Sequence, residues 1–399
     1  MRASAGGTTL LVVLSLLGAP SASVGHELSG YVSAEGRLFF NDPLYPGQAR
    51  DSGSLAFQPE YYHEWEDGSG FLFVPFGRID NADSERTHFD IRELNYLWPT
   101  ENWELRAGIG KVFWGATEFV HLVDIINQTD LVENIDEEDK LGQPMVHFSA
   151  PRGWGVWDLF VLPYFRERTF PGRDGRLRHP LVVDTDHPIY DNDAEEYHLD
   201  FAARYSHTVG DLDFGIYHFM GTGREPTLLL GVDSKGRPAL IPYYKQINQT
   251  GLDLQYVMGQ WLLKLESLYR TGQGDGFFAS VGGFEYTFVG LADTYMDLGL
   301  IGEYAFDERG DDATTIYEDD VMLGFRLALN DPQSTELLAG VIQDLGSSTR
   351  AVSIEASRRI GSHWKLFLQA WGFFDPPPDE LLYNIRDDDF IRIELAYYF

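Results

Sequence analysis

The 399-residue chain contains no cysteine, and that single absence removes several kinds of chemistry. Disulfide staples, thiol nucleophiles, thiolate metal ligands and haem held through C-x-x-C-H are all excluded. Positive charge is scarce as well: 30 Lys and Arg stand against 62 Asp and Glu, for a formal net charge of −32. So acidic a chain repels phosphate at a distance, which argues against nucleic acid as a partner. No stretch is apolar for long enough to cross a bilayer as a helix, which takes roughly twenty residues. Catalytic signatures are missing too, since G-x-S-x-G, H-E-x-x-H and clustered histidines do not occur. His147, His198, His207 and His218 fall on separate predicted strands, so no enzyme is expected. No Pro-rich or Ser-rich linker divides the chain, and a single domain follows.

The N-terminus carries an address. Met1-Arg2 is a short positive start, 10–17 (LLVVLSLL) an apolar core, and Ala19, Ser21, Ala22, Ser23 and Gly25 suit a signal peptidase. Residues 1–25 are therefore read as an export signal, and 26–399 as the mature domain.

Beyond it, apolar residues alternate. In IRIELAYYF, Ile391, Ile393, Leu395, Tyr397 and Phe399 share one face, while Arg392, Glu394 and Ala396 share the other. Such strict period-2 spacing means a strand with one apolar side. The pattern recurs around Phe201, Leu265 and Phe325. A soluble sandwich would alternate too, but three features favour a membrane. The predicted strands run to about ten to thirteen residues, against about five or six in soluble proteins. Trp65, Trp98, Trp103, Trp261, Tyr397 and Phe399 sit near strand ends on the apolar face, as interfacial girdles require. The polar face holds Arg204, Lys264, Glu266 and Arg326 mid-strand, which suits a wet lumen and not a dry core.

Short turns at 67–69, 99–102, 151–153, 209–211, 258–260, 290–293, 330–333 and 360–362 alternate with longer connections. The longer ones lie at 41–54, 80–86, 115–143, 165–195, 222–246, 271–276, 306–318, 345–348 and 375–388. This spacing predicts an all-β, closed antiparallel transmembrane barrel of eighteen strands, with sixteen as the fallback. Short turns would be periplasmic and the long acidic loops extracellular.

An eighteen-strand barrel leaves a channel unless something fills it. The segment 115–143 is the natural filler. Phe119, Leu122, Val123 and Ile126 follow helical spacing, and Asp130 with Glu133 would cap a second turn, so a short helix folded into the lumen is expected. An outer lid is the alternative. The segment carries Glu118, Asp124, Asp130, Glu133, Asp136, Glu137, Glu138 and Asp139 against Lys140, and carboxylates at a constriction concentrate cations. Lumen-lining charges are expected at Arg92, Arg106, Arg204, Lys264, Glu266, Arg326, Arg392 and Glu394, with further acidic candidates at Glu35, Glu60, Glu64, Glu104, Asp200, Asp213, Asp297 and Glu303. They would set a transverse field, or simply pair across neighbouring strands. Residues 136–139 lack the spacing of a calcium loop, so a solvated acidic stretch is favoured there. Trp154, Trp157, Tyr243 and Tyr244 read either as a sugar track or as girdle and rim. No cofactor or metal is expected.

The terminal strand, with Ile393, Leu395, Tyr397 and Phe399, resembles the signal read by the barrel-assembly machinery of Gram-negative outer membranes. Residues 111–131 are similar to a segment of poorly characterised porin-like barrels, matching a Trp-Gly followed by V-D-x-x-N-x-x-D at Trp114, Gly115, Val123, Asp124, Asn127 and Asp130. The resemblance implies an outer-membrane channel for passive diffusion of small polar solutes, in contact with lipid and lipopolysaccharide. It also implies a homotrimer, although no interface is legible. The acidic segment implies a preference for cations. A structural barrel, or an export conduit sheathing a periplasmic partner or polymer, is the alternative.

Overall fold

Side chains that alternate need two different surroundings, and a sheet closed on itself supplies them. The computed structural model of the chain describes residues 25–399. The expected export signal at 1–25 thus lies outside the described residues, apart from Gly25. Eighteen antiparallel strands form one barrel. In order they are β1 (Gly25–Phe39), β2 (Ser52–Glu64), β3 (Gly70–Asp80), β4 (His88–Pro99), β5 (Glu104–Gly110), β6 (Gln143–Arg152) and β7 (Gly155–Leu162). After a two-residue strand, β8 (Ile189–Tyr190), follow β9 (Asp200–Val209) and β10 (Leu212–Thr222). Then β11 (Thr227–Val232) and β12 (Pro238–Tyr244) pair outside the barrel, and β12 also takes β8 in parallel. The barrel resumes with β13 (Gln246–Met258), β14 (Trp261–Thr271), β15 (Phe277–Phe288), β16 (Asp297–Asp307) and β17 (Asp319–Ala328). It ends with β18 (Glu336–Asp344), β19 (Arg350–Ile360), β20 (Trp364–Phe374) and β21 (Phe390–Tyr398).

Closure is made by β1 against β21, from Tyr31↔Tyr398 to Phe39↔Phe390. No barrel strand then has a free edge, and each backbone N–H and C=O along the ladders finds a partner without water. The eighteen-strand reading holds, and the fallback of sixteen does not. The 144–164 region is two full strands, β6 and β7. Pro75 lacks an N–H and would break the β3–β4 ladder, and the register shifts between Val74 and Pro75.

The two faces of the wall differ as the alternation requires. Leu55, Phe57, Ile79, Leu159, Ile216, Leu263 and Leu323 stand exposed on the outside. Trp65, Trp98, Trp103, Trp154, Trp157, Trp261 and Trp364 are exposed near the short-turn ends, with Tyr397 and Phe399. Indole and phenol rings interlock there, with Trp261 and Tyr286 at 4.7 Å and Trp364 and Tyr397 at 5.0 Å. An apolar band with aromatic girdles cannot stay in water, and it matches lipid. The chain is a transmembrane β-barrel of the outer-membrane type.

Inside, buried polar side chains alternate with that band, among them Ser33, Glu35 and Arg37 on β1 and Arg78 and Asp80 on β3. The apolar core is not between two sheets. It lies between the inner wall and the chain that packs against it, where Trp114, Val123 and Ile126 meet Phe160, Tyr217 and Phe219. A second cluster joins Phe119, Val120 and Leu122 to Val281, Met322, Phe373 and Phe390.

Candidate functional site

The connection between β5 and β6, residues 111–142, is the longest stretch without a strand to lie against the inner wall. Asn127 pins its two ends: Nδ2 donates to the carbonyls of Gly110 (2.9 Å) and Leu141 (2.8 Å), and Oδ1 accepts from the Val112 N–H (2.8 Å).

Two wall carboxylates then hold its backbone. Glu266 of β14 accepts from the N–H groups of Ala116 (2.6 Å), Thr117 (2.9 Å) and Val123 (3.1 Å) and from the Thr117 hydroxyl (2.7 Å). Glu303 of β16 accepts from the N–H groups of Glu118 (2.7 Å) and Phe119 (3.1 Å). Charged acceptors make such hydrogen bonds stronger than neutral ones. The Phe119 ring lies over Gly324 and Gly340, which face each other across β17 and β18. A Cβ on Gly340 would stand 2.5 Å from that ring, so the seat exists because both residues lack one.

The expected helix does not form. Among the described residues the chain has no α-helix, and the segment is irregular. Phe119, Leu122, Val123 and Ile126 do share a helical spacing, but they serve two apolar clusters on different parts of the wall. The N–H groups of Phe119 and Val123 bond to Glu303 and Glu266 in place of the carbonyls four residues back. Asp130 and Glu133, read as caps, are anchors instead.

The acidic residues of the segment fall into two sets. Glu118 meets Lys264 Nζ (3.3 Å) and Arg326 (2.5 Å), and Asp124 meets Lys140 (3.4 Å). Asp130 takes Arg92 (2.7 Å) and the Thr169 hydroxyl (2.7 Å), and Glu133 takes Arg78 (2.7 Å). Although burial opposes it, hydrogen bonding from His88 and the charge of Arg92 hold the Asp130 carboxyl well below its ordinary range. The second set, 136–139, is poorly compensated. Glu137 reaches Arg168 at 3.4 Å with half its side chain in solvent, and Glu138 is 3.8 Å from His121. Burial and the charges of Asp139, Glu138 and Glu355 push the Asp136 carboxyl up to about 8. The Asp139 carboxyl is raised as well, by burial and by Glu133.

The wall charges are mostly paired. Arg204 forks onto Asp253 (2.6 and 2.8 Å), and Arg392 bridges Glu35 (2.8 Å) and Glu394 (2.6 Å). Arg106 pairs with Glu104 at 3.0 Å and remains half exposed. Glu35 is surrounded by four guanidinium groups, from Arg37, Arg78, Arg86 and Arg392. Arg37, Arg78 and Arg86 were not anticipated. Arg37 and Arg78 lie on the polar phase of their strands, where the alternation could have placed them, but their reach to the carbonyl of Glu133 and to its carboxylate is tertiary.

Other long connections pack on the segment. Arg224 donates to the Ile126 carbonyl (3.0 Å) and pairs with Asp200 (3.2 Å), and Arg166 donates to the Gly142 carbonyl (3.0 Å). The four aromatic residues considered as a sugar track are not brought together. Trp154 and Trp157 pack on Tyr205 in the short-turn girdle, whereas Tyr244 is buried against Phe165 and Tyr190 in the β8–β11–β12 sheet.

No family model and no curated protein matches this chain in sequence. Solved structures do share its fold. A BenF-like porin from Pseudomonas fluorescens Pf-5 is 10% identical, with 94% of this chain and 97% of that one covered at a TM-score of 0.54. Pseudomonas aeruginosa OpdQ is also 10% identical, with 94% and 97% covered at a TM-score of 0.53. Wzi of Escherichia coli, described as a carbohydrate-binding β-barrel of capsule assembly, is 10% identical, with 92% and 83% covered at a TM-score of 0.51. The fold is that of porin-like outer-membrane barrels.

Proposed function

We propose that this barrel is a diffusion channel for small polar solutes, narrowed by residues 111–142 and favouring cations. One observation carries the reading: the segment is bonded to the inner wall through Glu266 and Glu303, while among the described residues the carboxylates at 136–139 have as basic contacts only the long ones of Glu137 to Arg168 and Glu138 to His121. Negative charge at a narrow, low-dielectric passage raises the local cation concentration. The paired residues Glu118, Asp124, Asp130 and Glu133 act as struts that fix the passage, and the selective charge belongs to Glu137, Glu138 and Asp139, with Asp136 adding its charge as pH rises past about 8. Arg92, Arg204, Lys264, Glu266, Arg326, Arg392 and Glu394 line the wall behind them. The long connections then face outside, as in barrels of this type, and the short turns face the periplasm.

Single-channel recording in planar bilayers tests this. Stable steps with a cation-to-anion permeability ratio above one are expected, and deletion of 118–140 should raise the conductance. A folded but silent barrel would refute it and favour the second reading, a structural or conduit barrel. That reading draws on the long connections packed over the segment through Arg224 and Thr169. Four further assignments belong to the proposal. Residues 1–25 direct export; Ile393, Leu395, Tyr397 and Phe399 present the assembly signal; the outer face contacts lipopolysaccharide; and the barrel is a homotrimer, which cross-linking in membranes would reveal.

A further inference from the structure

At the long-connection end, three separate segments bring carboxylates together. Glu318 immediately precedes β17, Asp344 closes β18, and Glu380 lies between β20 and β21; one oxygen of each lies within 4.8 Å of the others. Asp320 stands directly opposite Asp344 in the β17–β18 register. Residues so opposed share a face of the sheet, with Cβ atoms about 5 Å apart. Asp320 is only 2% exposed, and its Oδ2 has no hydrogen-bond partner. Among the described residues, none of the four forms an ion pair with Lys, Arg or His. Arginines of the neighbouring connections are engaged elsewhere, Arg309 with Asp307 and Arg350 with Asp375.

Carboxylates packed this closely, one of them buried and unpartnered, are unfavourable unless they keep a proton or a cation stands among them. We propose that Glu318, Asp344 and Glu380, with Asp320 beside Asp344, bind one calcium ion. Oxygens bound to calcium at 2.3–2.6 Å lie no more than about 5 Å apart, a limit that Glu318, Asp344 and Glu380 meet. Calcium accepts six to eight oxygens in irregular arrangements, whereas magnesium demands a near-ideal octahedron. Donors from three unrelated segments suit the former. Asp344 is already oriented by the N–H groups of Gly346 (2.6 Å) and Ser347 (3.2 Å), so one ligand is preset. The ion would tie the connections 308–318, 345–349 and 375–389 to one another.

Isothermal titration of about 10 mM CaCl2 into the folded barrel in detergent at neutral pH tests the site. One saturable site is expected, with calcium raising the thermal midpoint. The E318Q/E380Q double variant changes only connection residues and should weaken binding at least tenfold and abolish the thermal shift. D320N keeps the shape of its position and supplies an independent arm, with binding weakened several-fold. Absence of saturable heat in the wild type overturns the proposal. So does unchanged affinity in either folded variant. Equal affinity for MgCl2 overturns the assignment to calcium.

Discussion

Replacing Glu266 by Ala withdraws from residues 111–142 the acceptor of three backbone N–H groups and one hydroxyl. Each buried donor left unsatisfied costs about 1–3 kcal/mol. The four contacts share one carboxylate and are not additive, and water would re-solvate part of the gap. A net loss of about 3 kcal/mol in the anchoring of the segment is a reasonable scale. Local openings in proteins range from near zero to the global stability, so take about 4 kcal/mol for the wild-type segment. Its displaced population then rises from about 0.1% to about 15%, since about 1.4 kcal/mol is a factor of ten. The segment would remain tethered by Asn127, Glu303, Asp130 and Glu133, and the barrel itself should stay closed. Single-channel traces should therefore show frequent brief steps to higher conductance that the wild type lacks. E266Q retains an acceptor oxygen without the charge and should fall between the two. An E266A barrel that migrates as folded on heat-modifiability gels, yet gives the wild-type trace and noise, would refute the reasoning.

The Asp136 carboxyl, raised from the ordinary aspartate value of 3.8 to about 8, predicts a pH effect. Below that value it is neutral and above it charged, so reversal potentials should report stronger cation preference as pH rises from about 6.5 to about 9.5. The same shift means that the folded state keeps a proton the unfolded state releases, so its contribution to stability declines as pH rises from about 4 to about 8. D136N should flatten both dependences, and a wild-type selectivity independent of pH over that range would sink the assignment. G340L places a side chain where the Phe119 ring sits, so it should displace 118–122 and make them accessible to protease in folded barrels. Intact chains after digestion would contradict that seat. I216R puts a charge on the lipid face at mid-strand and should cost about 2–4 kcal/mol in reversible urea unfolding in bilayers. A cost near zero would mean that this face does not meet lipid.

Period-2 alternation was enough to place all eighteen barrel strands and every connection between them, because a one-residue slip would turn each apolar face inward. The girdle was legible for the same reason, since Trp98 and Trp261 lie on the apolar phase where the strands end. The small β8–β11–β12 sheet was not, because its strands lie inside stretches that read as loops. The charges of 115–143 were recognisable as a group, and so were Glu266 and Glu303 as inward residues. Which of them pair could not be read. Glu118 and Lys264 are 146 positions apart, and no periodicity links them.

The sequence by itself determined the wall: its strand number, its inward and outward faces, and the two classes of connection, all of which follow from local spacing. Only the tertiary structure decided what lies inside. Helical spacing at 119–126 lost to wall carboxylates that capture the same N–H groups, and to glycines on β17 and β18 that leave room for Phe119. Closure brings distant strands within a few ångströms of the segment, and that proximity separates its anchoring carboxylates from those left uncompensated.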